Sequence, residues 1–158
     1  DAAPEPAGGS GGGSAGGNIA AALMLRARDE GQRVLIYPEG HLAPVGYHFR
    51  YKAGVWHMAQ AMNVPVVPVA TNIGVFWRQQ ERDKTAGTAI IEFLPPLDPN
   101  LPKAEFLQTL TETVELHTAR LVAEATGAPV EPSILIPDPP KGMEASPSSD
   151  DLTAFGKP

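Results

Sequence analysis

The sequence contains no cysteine, which excludes disulfides and thiolate metal sites and leaves a reducing, cytosolic setting open. It has no apolar run near the roughly 20 residues that carry a helix across a bilayer, and no signal-peptide pattern. Aromatic residues make up only 6% of the chain and form no basic-aromatic patch, so nucleic acid is not an expected partner. The four histidines are scattered without the spacings that metal ligands require, so no metal is implied. There is no internal repeat.

What remains is one domain at most, in 158 residues, long enough to bury a core. The net charge of -6 is unevenly spread. Residues 24–84 carry eight Lys/Arg against five Asp/Glu, whereas residues 85–158 carry four against eleven. The first half suits an anionic ligand or a lipid surface; the second is acidic. The chain begins with Asp rather than Met, which reads as a fragment, a processed product or an engineered piece.

Residues 1–17 are a Gly/Ser-rich linker with nothing to bury. Asn18 is an N-cap for a helix to about Asp29, with Ile19, Leu23 and Ala27 on one face and Gly31 as its stop. Residues 33–37 read as a first strand and residues 64–70 as a second. Residues 53–62 form a crossover helix between them, striped by Val55, Ala59 and Met62. That order predicts a parallel pair. Trp56, His57 and Met58 read as packing rather than a cofactor box. Residues 87–94 form a third strand. Residues 103–125 form the longest helix, burying Phe106, Leu107, Leu110, Val114 and Leu121, with a structural or half-exposed His117. Residues 128–158, with seven prolines and four serines, read as a disordered or extended acidic tail. Its one apolar patch, residues 133–137, either docks on the domain or a neighbour or is a stray hydrophobic run.

The informative stretch is residues 34–42. An apolar, β-branched run stops at Pro38-Glu39-Gly40, where proline cannot continue a ladder and glycine frees the backbone. Glu39 is thus presented at a strand-to-loop corner, the kind of place where open α/β sheets bind ligands.

Pro38-Glu39-Gly40, then Lys52-Ala53-Gly54, then the Val-Pro-Val-Val-Pro-Val of residues 64–69, in that order and spacing, resembles the PlsC-type glycerolipid acyltransferase family. The likeness is greatest to the bacterial 1-acyl-glycerol-3-phosphate acyltransferases. It spans residues 18–127, as the C-terminal part of an acyltransferase domain. The resemblance implies an α/β fold, a partial glycerol-3-phosphate acyltransferase-like architecture with a parallel-rich sheet flanked by helices. It implies transfer of a fatty acyl group from acyl-CoA or acyl-carrier protein to a lysophospholipid such as lysophosphatidic acid, with no further cofactor. It also implies phospholipid biosynthesis at the cytoplasmic face of the inner membrane, the chain being peripheral or anchored through upstream sequence.

In that family a histidine takes the proton of the attacking alcohol and an aspartate holds its ring, both from a His-x-x-x-x-Asp motif upstream of the first strand. Five residues after His41, His48, His57 and His117 stand Gly46, Ala53, Met62 and Val122, so the motif is not in this chain. Either it lies in a missing N-terminal half of the domain, in which case the isolated fragment is inactive, or the chain is a catalytically inactive lipid- or acyl-carrier-binding domain of the same fold. The family usually follows Glu-Gly with Thr-Arg, whose arginine grips the acceptor phosphate through paired hydrogen bonds. Here His41-Leu42 stand instead, and with Asn72-x-Gly74-x-Phe76-Trp77 they resemble an alphaproteobacterial branch. The substrate-binding candidates are Glu39, Gly40, His41, Arg50, Lys52 and Asn72, with Arg50 and Lys52 as replacement anion ligands or as solvated loop cations. The exchange of Thr-Arg for His-Leu also permits a different acceptor, such as a lyso-ornithine lipid.

Overall fold

A computed structural model describes residues 15–78 and 83–138, with side chains from residue 22 onward. The linker expected at residues 1–17 and the tail beyond residue 138 fall largely or wholly outside those residues. The chain divides into two units, one ending at Val34 and one beginning at Leu35. The described part of the first is α1 (Ala15–Asp29), which starts three residues before the expected Asn18 and ends as expected at Gly31, with φ of +67°.

The second unit holds the rest. Its elements are β1 (Tyr47–Phe49), α2 (Gly54–Met62), β2 (Val69–Thr71), α3 (Ile73–Phe76), β3 (Ile91–Phe93), α4 (Lys103–Thr126) and β4 (Ile134–Ile136). The two long helices follow the 3.6-residue apolar spacing closely, because that signal is local. Helix α2 buries Val55, Ala59 and Met62 and closes on Asn63, which adopts the left-handed conformation at φ of 50°. Helix α4 buries Phe106, Leu110, Leu121 and Ala123 and closes on Gly127. Phe106, Leu110, Val55, Ala59 and Tyr51 make the main core cluster, with Ile36, Trp56 and Val66 packed around it.

The strands differ more from expectation. Residues 32–37 form no regular element and no ladder with any described residue, so the anticipated first strand and its parallel pairing with 64–70 are absent here. Within them Ile36 packs inward while its neighbours Leu35 and Tyr37 remain 72% and 75% exposed. The second strand is shorter than its apolar run because Pro65 and Pro68 have no N–H to donate. Val66 makes one isolated bridge with Leu97, and regular pairing begins only at Val69. There β2 runs antiparallel to β3, Val69 opposite Phe93 and Thr71 opposite Ile91. The parallel pair lies elsewhere: β1 with β4, Tyr47 opposite Ile134 and Phe49 opposite Ile136. The apolar patch of residues 133–137 therefore docks on its own domain, burying Ile136 against Phe49.

Just after β2, Asn72 ties neighbouring segments together. Asn72 is 2% exposed, accepts the Ile90 N–H on Oδ1 at 2.8 Å and donates Nδ2 to the Leu121 carbonyl at 3.4 Å. It thus ties the end of β2 to the approach to β3 and to α4. The Phe76 ring lies where a Cβ on Gly87 would sit, 2.0 Å from Cε1, so a side chain there would require that ring to move.

Candidate functional site

The site is built from a turn clamped onto the strand that follows it. Tyr37-Pro38-Glu39-Gly40 is a β-turn closed by the Gly40 N–H on the Tyr37 carbonyl at 3.1 Å, with proline second and glycine fourth. Gly40 takes φ of +71°, a conformation that a side chain would strain. Two hydrogen bonds then fasten the turn to residues 49–52. The Phe49 N–H donates to Glu39 Oε2 at 2.7 Å, and the Lys52 N–H donates to the Pro38 carbonyl at 2.8 Å. His41 turns back on the same corner. Its Nδ1 lies 3.4 Å from the Glu39 carbonyl and its ring centroid is 5.2 Å from that of Phe49. With Nδ1 donating to that carbonyl, the neutral ring keeps Nε2 as an acceptor.

The structure thus brings Glu39, Gly40, His41 and Lys52 together, although Lys52 is ten or more residues from the turn in sequence. Arg50 lies exposed on the same stretch. Asn72 does not share these contacts; its side-chain polar atoms are committed to Ile90 and Leu121. The Lys52 ammonium is paired with the Asp138 carboxylate beyond β4.

A second layer of side chains supports the corner, and sequence reasoning missed it. Glu115, on α4, accepts the Tyr51 hydroxyl on Oε1 at 2.8 Å and the Ser133 hydroxyl on Oε2 at 2.6 Å. His48 Nδ1 is 3.8 Å from the same Oε2, and it is buried without a hydrogen-bond partner among the described residues. Glu115 lies eight residues after Leu107, at the edge of the apolar stripe. That signal was present in the sequence: a carboxylate placed there either snorkels out or finds donors within. Burial holds the Tyr51 phenol far above its ordinary pKa, aided by the Glu115 charge, so it remains a donor.

Glu39 is itself perturbed. Burial raises its pKa from 4.5 to about 7; the Phe49 N–H and His41 oppose the rise, and the Glu115 charge adds to it. From about 4.5 to about 7 the folded protein keeps a proton that the unfolded chain releases. The stability tied to this group is therefore fully present below the lower value and is lost as pH rises through the upper one. Glu39→Gln keeps an oxygen for the Phe49 N–H and cannot ionise. Its stability should hold between about pH 5 and pH 8 while the parent loses about 1–2 kcal/mol, solvent screening of a half-buried group being allowed for. Urea unfolding at the two pH values checks this; parallel losses in parent and variant would refute it.

Residues 15–72, which include this corner, match the family model described as Acyltransferase. Across 110 residues the chain is 27% identical to the 1-acyl-sn-glycerol-3-phosphate acyltransferase of Pseudomonas aeruginosa, over 70% of this chain and 42% of that protein. It is 33% identical to the human 1-acyl-sn-glycerol-3-phosphate acyltransferase alpha over 66 residues, 41% of this chain and 23% of the relative. The crystal structure of PlsC, the 1-acyl-sn-glycerophosphate (LPA) acyltransferase from Thermotoga maritima, superposes with a TM-score of 0.59 at 22% identity. That match covers 66% of this chain and 44% of PlsC.

This chain resembles the PlsC-type glycerolipid acyltransferases. It has the acyltransferase fold over the superposed stretch, and it spans less than half the length of the Pseudomonas relative. The turn built by Pro38, Glu39 and Gly40 lies inside the segment that the family model matches. Asp138 and the Glu115 donors Tyr51 and Ser133 are divided by it, with only Tyr51 inside. Among the described residues no helix is long and apolar enough to cross a membrane, and no three His, Cys, Asp or Glu side chains cluster as metal ligands.

Proposed function

We propose that the chain forms the acceptor-site part of an acyltransferase that moves a fatty acyl group from acyl-CoA or acyl-carrier protein to lysophosphatidic acid or a related lysolipid. The observation that carries this reading is the clamp: Glu39 and the Pro38 carbonyl hold the turn against residues 49–52, which fastens the Lys52 backbone to the turn that leads into His41. A cation at a glycine turn suits the phosphate of a lysolipid headgroup, and His41 adds a hydrogen bond to it only in the form with Nε2 protonated. Gly40, with no side chain, leaves room for the headgroup to approach the backbone. The proton-accepting histidine and its aspartate come from a His-x-x-x-x-Asp segment outside these 158 residues, and the assembled protein works peripherally or anchored at the cytoplasmic face of the inner membrane.

The test is acyl transfer from acyl-CoA to lysophosphatidic acid. It is measured for these residues alone and for the same residues continuous with whatever their gene encodes before Asp1. The chain alone should show no transfer and the longer polypeptide should show it. In the longer polypeptide, Lys52→Ala should raise KM for the acceptor about tenfold and leave kcat nearly unchanged, as loss of uniform binding does. Transfer by the 158 residues alone would overturn the division of labour. Lysolipid binding without transfer from either polypeptide would leave a binding domain that kept the fold.

A further inference from the structure

Lys52 is held by a carboxylate that arrives from the far end of the domain. We propose that Asp138 is a positioning residue that sets the acceptor preference of the site, weakening its hold on a phosphate monoester relative to an uncharged headgroup. The inference rests on the reading of Lys52 as an acceptor ligand given above.

Three observations carry it. First, the pairing is built rather than incidental: the parallel register sets Ile136 opposite Phe49, and Ile136 is buried at 2% exposure against that ring. Continued by two residues, this register places Asp138 level with Tyr51, next to Lys52, and Pro137 stiffens the step between. Second, the ammonium and carboxylate are in contact, each side chain a little under half exposed. A phosphate approaching Lys52 must therefore displace Asp138 or share the ammonium with it, and it meets a local charge near zero instead of +1. Third, Gly40 is followed by His41 and Leu42, so the turn supplies no lysine or arginine there to share the phosphate with Lys52. An acceptor without phosphate meets no such penalty. Ser133, just before β4, is held by Glu115 at 2.6 Å, so the strand that delivers Asp138 is fastened at both ends.

The experiment compares binding of the 158-residue chain to phosphatidylcholine vesicles doped with lysophosphatidic acid or, at the same mole fraction, with monoacylglycerol. Glycerol 3-phosphate in solution serves as a competitor, to separate the headgroup from general bilayer charge. Asp138→Asn should tighten binding to the lysophosphatidic acid vesicles about three- to fivefold, the size of an exposed ion pair, and leave monoacylglycerol vesicles unaffected. Asp138→Glu should restore the parent preference. In a Lys52→Ala background the gain from Asp138→Asn should vanish. Circular dichroism should show both Asp138 variants folded, since neither changes the buried Ile136. An unchanged preference in Asp138→Asn, with Lys52→Ala still weakening the phosphate-bearing lipid, would overturn the role of Asp138 and leave the acceptor site standing. Indifference of lysophosphatidic acid binding to Lys52→Ala would overturn both.

Discussion

Phe106→Ala should lower the free energy of unfolding by about 3–5 kcal/mol, the usual cost of removing a buried phenyl ring. Phe106 is 0% exposed and packs where α4 meets α2 and the residues just after β1. Its neighbours Tyr51, Val55, Ala59 and Leu110 sit on three separate segments, so none can move into the space without disturbing another. A domain of this size is stable by about 5–15 kcal/mol, which makes the loss a large share of the whole. Urea unfolding followed by Trp56 fluorescence, in a Trp77→Phe background, is a suitable probe, because that indole lies against the cluster and donates to the Leu101 carbonyl at 2.9 Å. The midpoint should fall while the slope stays constant, and Phe106→Leu should cost about 1–2 kcal/mol. A loss below about 1 kcal/mol in the alanine variant would mean that this cluster is not the core. Tyr51 adjoins the residues that clamp the Pro38 turn, so the same substitution should weaken the proposed lysolipid binding under conditions where the chain is still folded.

The contrast between helices and strands explains what could be read from the residues. The stripe of Val55, Ala59 and Met62 specifies α2 by itself, because neighbours on a helical face are three and four residues apart. A strand is specified only with its partner. Residues 33–37 have strand composition, yet no described segment pairs with them. Tyr47–Phe49 is a three-residue strand that no periodicity announces, and it exists because Ile134–Ile136 comes back to it. The site divides in the same way. Glu39, Gly40, His41 and Lys52 were legible because they fall in contiguous blocks that resemble a family, and the structure joins those blocks by the Phe49 and Lys52 amides. Asn72 was legible as a residue of interest through its block, but its contacts are those of a scaffold. Asp138 and Ser133 lie in a proline-rich stretch whose composition argues for an extended chain, and only the β1–β4 register brings them to the site.

Glu115 joins these levels, and Glu115→Ala should cost about 2–4 kcal/mol while changing the chemistry of the corner. The carboxylate accepts two hydroxyl hydrogen bonds, from Tyr51 and Ser133, and bonds to a charged acceptor contribute about 1.5–3 kcal/mol each, incompletely additive within one cluster. Removing it leaves the Tyr51 hydroxyl, on a residue only 7% exposed, with a donor to re-satisfy. It also releases the start of β4 from α4, so among the described contacts the strand that carries Asp138 to Lys52 keeps the β1 ladder, Ile136 and the ion pair itself. The electrostatic consequence is separable from the structural one. The Glu115 charge helps to raise the pKa of Glu39, so Glu115→Gln should shift Glu39 downward from about 7 while keeping one oxygen for a hydroxyl. Its stability loss should be smaller than that of the alanine variant, and the fall in stability with rising pH should be smaller and end at a lower pH than in the parent. Urea unfolding across pH for the two variants checks both effects. Equal losses at every pH would mean that Glu115 acts only as a tie between α4 and the strand pair, with no electrostatic hold on Glu39. A pH shift without a stability loss would mean that the two hydroxyls find water as readily as the carboxylate.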